Sequence, residues 1–97
     1  MTKEEAFKRL ERIWGFRCDS EIPNHANLAL DEPEYEQHSS ACVSYDGENE
    51  TLKFFIAAGT NGGYEARVHL SFMVEPQLDK IVEVMLNFAK PYIIDRM

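Results

Sequence analysis

Ninety-seven residues with 44% hydrophobic content suit one globular domain, 1–97, with a modest core and no second unit. No apolar run nears the ~18 residues that cross a bilayer, and the charged, amphipathic N-terminal segment lacks the apolar stretch of a secretory signal, so a cytoplasmic protein without membrane contact is expected. A net charge of −7 argues against direct nucleic-acid binding and for a partner with a basic surface.

That charge is unevenly spread. Residues 1–17 carry five bases (Lys3, Lys8, Arg9, Arg12, Arg17) and three acids, and residues 51–97 cancel at five of each. Between them, residues 18–50 carry nine acids, among them Asp31, Glu32, Glu34, Glu36, Asp46, Glu48 and Glu50, with no Lys or Arg.

In chain order, Thr2 and Glu5 have the spacing of a capping box, and Phe7, Leu10, Ile13 and Trp14 recur at helical intervals up to Gly15. A helix over 3–14 follows. From Phe16 to Ser40 the pattern breaks at Pro23, Asn24, Asn27 and Pro33, leaving one extended piece at Asn27–Leu30; a connection this long is either functional, partly mobile, or hides an edge strand at Leu28–Leu30. Ala41–Tyr45 then alternates as a strand. Asp46–Asn49 is a four-residue turn, expected to set Val43 beside Leu52 and Ala41 beside Phe54.

The strongest periodicity lies in Leu52–Val74. Leu52, Phe54, Ile56 and Ala58 share one parity, and Tyr64, Ala66, Val68, Leu70, Phe72 and Val74 share the same one, which predicts a hairpin with one buried face. A three-residue turn at Thr60–Gly62 would pair Ile56 with Ala66 and Phe54 with Val68, burying Phe54, Val68 and Phe72. The opposite face would carry Lys53, Phe55, Glu65, Arg67, His69 and Ser71, with Phe55 across from Arg67 and Lys53 across from His69. Pro76 suits a helix's first turn, and Leu78, Ile81, Val82, Met85 and Phe88 form an apolar stripe over 76–90, which Pro91 is expected to end or kink. The whole reads as α+β: helix, three-stranded antiparallel β-meander, helix, with both helices on one sheet face.

Chemistry is sparse. Cys18, His25, His38 and Cys42 are zinc-type ligands, but Cys18 and His25 stand farther apart than the close pair that opens a structural site, so no metal and two free thiols are expected. The acidic turns lack the calcium-loop pattern. His69 and Ser71 on a straight strand would sit about 6.5 to 7 Å apart, too far for a nucleophile and its base. Gly59–Gly63 has neither the Lys-Ser/Thr nor the helix of a phosphate loop. The expectation is therefore a non-enzymatic module without cofactor, an inhibitor or immunity-type protein that presents carboxylates to a basic surface as nucleic acid would. Partner contact is assigned to the seven acids named above with Phe55, Arg67 and His69. The alternatives are a homodimeric adaptor or chaperone using its open sheet face, and a small metal-binding or enzymatic domain.

Overall fold

A computed structural model describes residues 1–18, 23–29, 40–57 and 63–94 of the chain. The elements are α1 (Lys3–Trp14), β1 (Arg17–Cys18), β2 (His25–Ala29), β3 (Ser40–Asp46), β4 (Thr51–Ala57), β5 (Gly63–His69) and α2 (Glu75–Ile94), with a 3-10 turn at Leu70–Phe72 before α2. The class is α+β.

α1 begins and ends where its sequence signals stand. The Thr2 hydroxyl accepts from the Glu5 amide at 3.1 Å while Glu5 Oε1 accepts from the Thr2 amide at 2.9 Å, so two amides left over at the helix start are satisfied reciprocally. Gly15 adopts φ 79°, and the Phe16 amide closes on the Leu10 carbonyl at 3.0 Å, burying the Phe16 ring. A Cβ at Gly15 would meet no atom within 4 Å. Gly15→Ala therefore probes the left-handed backbone alone, and thermal unfolding should show a loss of about 1 kcal/mol.

The sheet has five antiparallel strands in the order β1-β2-β3-β4-β5, which corrects the expected three-stranded meander. The additional strands lie in the stretch whose pattern is weakest. β2 starts at His25, before the expected Leu28–Leu30, and is internal, lying between β1 and β3 rather than at an edge.

Both hairpins keep the expected parity and shift by two residues. Val43 pairs with Phe54 and Ala41 with Ile56; Phe54 pairs with Ala66, Ile56 with Tyr64 and Leu52 with Val68. An even shift leaves every side chain on its own face, so hydrophobic alternation cannot distinguish the two registers and the placement of the turn decides. Here β3 and β4 are joined through residues 47–50. The Thr60–Gly62 turn lies outside the described residues.

On the core side, Ala41, Val43, Leu52, Phe54 and Ile56 are fully buried in one cluster with Ala26 of β2, Ala6 and Leu10 of α1, and Leu78, Val82 and Met85 of α2. Phe72 is a correction: it is 73% exposed, whereas Met73, which strand alternation would turn to the opposite face, is 1% exposed. The cause is local. His69 Nδ1 accepts from the Ser71 amide at 3.1 Å, capping the 3-10 turn that ends β5 and rotates the following side chains out of strand alternation. α2 also runs through Pro91 to Ile94; proline removes one donor there without terminating the helical backbone. The side chains of Tyr92, Ile93 and Ile94 are outside the described residues.

Candidate functional site

Opposite the core, the register sets side chains in rows across the sheet. Directly paired residues share a face. One row runs His25, Ser44, Lys53, Arg67, the next Asn27, Cys42, Phe55, Glu65, and a third Asp46, Thr51, His69. Phe55 thus stands across from Glu65 rather than Arg67, and Lys53 across from Arg67 rather than His69, both through the two-residue shift.

On this face one carboxylate lies between two cations. Glu65 Oε1 lies 3.1 Å from Lys53 Nζ and 3.6 Å from Arg67 Nη2, and the Lys53 hydrogen bond, more than any other influence, holds the Glu65 carboxyl below the ordinary range. Lys53 Nζ also sits 5.7 Å from the centroid of the Phe55 ring, within cation–π range. An open depression of about 660 Å³, lined by Ser44, Asp46, Asn49, Lys53, Arg67 and His69 among others, joins this face to the β3–β4 turn.

The turn carries the three described members of the acidic block, Asp46, Glu48 and Glu50, all exposed. Their roles differ. Asp46 accepts from the Glu48 amide at 3.0 Å and from Asn49 Nδ2 at 2.7 Å, bonds that lower its pKa, the Asn49 bond most, and make it the residue that shapes the turn. Glu50 takes a left-handed φ of 50°, and its carboxylate stands 3.8 Å from His69 Nε2. Asp31, Glu32, Glu34 and Glu36 lie outside the described residues.

Two expectations about chemistry meet the geometry. His69 and Ser71 are in reach after all: the Ser71 hydroxyl is 2.8 Å from His69 Nδ1, because the chain turns at Leu70 instead of continuing straight. That nitrogen also accepts the Ser71 amide, so its lone pair is shared with a capping bond, and the arrangement is explained as a turn. In the cysteine and histidine set, Cys18 pairs with Ala26 on the core side of the sheet, while His25 and Cys42 belong to the open face. The sheet separates them. His38 is outside the described residues, and no group of three metal-type ligands occurs among the described ones. Both described thiols are unbridged, and burial pushes their pKa values up, with Glu11 adding to the effect at Cys18, which disfavours the reactive thiolate.

Sequence reasoning missed Lys53 and Glu65 as partners, since only the true register brings them together, and the turn-building role of Asp46, for which the Asp-Gly-Glu-Asn run was the available signal. Comparison with family models, curated proteins and solved structures finds no match for this chain.

Proposed function

We propose that the chain is a small acidic protein-binding module without catalysis, an inhibitor or immunity-type protein that covers a basic surface on its target in place of nucleic acid. The observation that carries this reading is the block of nine carboxylates between residues 18 and 50 without one Lys or Arg, whose described members at the β3–β4 turn are all exposed. Such a run repels itself and opposes compaction, so recognition is the better account of it. Glu48 and Glu50 are the carboxylates of the turn that would meet a partner, Glu50 beside His69, Asp46 being engaged in building the turn.

The reading is tested by isolating the partner from host lysate and measuring association rates over a salt series. Replacing Asp31, Glu32, Glu34, Glu36, Glu48 and Glu50 by their amides should leave the fold intact, slow association by roughly tenfold or more at low salt, and flatten the salt dependence. Unchanged rates and salt dependence would refute it.

A further inference from the structure

We propose that the free edge of β5 is the contact between two copies of this chain, joined about a two-fold axis at Ala66 into one continuous ten-stranded antiparallel sheet. This surface is distinct from the acidic turn, and its test does not depend on that reading. The two outer strands of the sheet are unequal. β1 has two residues, whereas β5 has seven, with no proline or lysine to blunt it, and among the described residues no further strand pairs with it. A long unprotected edge presents donors and acceptors in a row that another strand can use.

The hydrogen-bond phase identifies the residues that face outward. The Leu70 amide bonds the Glu50 carbonyl at 2.9 Å, in register with the β4–β5 ladder. Antiparallel ladders alternate bonded and non-bonded pairs, so the even residues of β5 bond β4. Gly63, Glu65, Arg67 and His69 therefore turn their amides and carbonyls toward the empty side.

Charge then selects both the partner and the register. A two-fold contact between identical strands is antiparallel and self-complementary. Centred on Ala66, it sets Glu65 against Arg67 of the second copy and Arg67 against its Glu65, two opposite-charge pairs at bonded positions. Centred one residue either way, it would set Glu65 against Glu65 or Arg67 against Arg67, and like charges directly across a ladder are unfavourable. The intrachain contacts of Glu65 both use Oε1, leaving Oε2 for the second copy, and the Arg67 side chain is 64% exposed.

The core side of the same edge is incompletely covered. Tyr64, Ala66 and Val68 point to the core side yet are only half-buried, while their neighbours Leu52, Phe54 and Ile56 on β4 are fully buried. Above them, Ile81, Val84 and Phe88 fall on one flank of α2 by helical spacing. The Phe88 ring packs tilted against Tyr64, with centroids 6.1 Å apart, which places that flank over β5, and Val84 is 39% exposed. The axis at Ala66 would set Tyr64 against Val68 of the second copy and bring the two α2 flanks toward each other, covering apolar surface that one chain leaves open.

Sedimentation equilibrium across a concentration series tests this. The native chain should reach twice its 11.2 kDa at high micromolar concentration. Arg67→Glu and Glu65→Arg should each weaken dimerisation by about tenfold or more, since each turns both attractive pairs into repulsive ones. Mixing these two variants should restore a heterodimer, because each then offers the charge the other lacks. Both side chains are exposed, and circular dichroism should show unchanged folds. A native chain that stays monomeric, or single variants that dimerise as well as the native chain, would overturn the proposal, as would a monomer whose β5 edge takes up a partner's extended peptide instead.

Discussion

Replacing Phe54 with alanine should lower the unfolding free energy by about 3 to 5 kcal/mol, a fifth or more of the ~5 to 15 kcal/mol of a typical domain. The ring is fully buried on β4, the middle of the three long strands, paired with Val43 on one side and Ala66 on the other. Its neighbours in sequence parity, Leu52 and Ile56, are equally buried, so no surface residue can move in to fill the void. Urea titration would show the loss as a lowered midpoint at constant slope. Phe72→Ala is the matched control: with its ring 73% exposed, the same truncation should change stability by no more than about 0.5 kcal/mol. A large loss at Phe72 would mean that β5 continues straight past Leu70.

Asp79→Ala should cost about 1 to 2 kcal/mol, the lower part of the range for charged hydrogen bonds because the group is partly exposed. Asp79 on α2 accepts two bonds from Arg9, at 2.9 and 2.6 Å, and one from Trp14 Nε1 at 2.9 Å, so a single carboxylate ties α1 to α2 across about 70 positions of sequence. These bonds hold its pKa below the ordinary value, the Arg9 bond most. The sign of the pH effect follows. A carboxyl whose native pKa is depressed contributes its full stabilisation above the unfolded value of about 3.9 and loses it as pH falls through the native value. Native chain and Asp79→Asn should therefore differ in stability at neutral pH and converge in acid. A difference independent of pH would assign the effect to packing rather than charge.

What could be read from the sequence divides along physical lines. Helix boundaries carried by local chemistry, Thr2 with Glu5 and Gly15, stand where expected, and so does the inward parity of Leu52, Phe54, Ile56, Ala66 and Val68. Quantities set by tertiary context did not show. The two-residue shift is invisible to a pattern of period two. β2 lay hidden because its apolar positions are only Ala26, Leu28 and Ala29 between polar residues. Phe72 went wrong because a side-chain-to-backbone bond from His69 interrupted an alternation that the residue types continued.

The site was less legible than the fold. Phe55, Arg67 and His69 do share the open face, as parity alone requires. Their neighbours needed the register, which alone places Glu65 Oε1 between Lys53 and Arg67. Of the carboxylates at the β3–β4 turn, Asp46 is held by two hydrogen bonds, a role that the Asp-Gly-Glu-Asn run signals but that counting acids in the block passes over.

The chain contains one tryptophan, and its indole N–H is held by the carboxylate that joins the helices. Intrinsic fluorescence on this protein is therefore a local gauge, reading whether α1 is seated against α2, while far-ultraviolet circular dichroism is dominated by the backbone of helices and sheet together. Where two-state unfolding holds, both signals change at one midpoint. If α1 lifts away first, the emission moves while the dichroism stays nearly whole, and the gap between the curves measures how independently the N-terminal helix is bound.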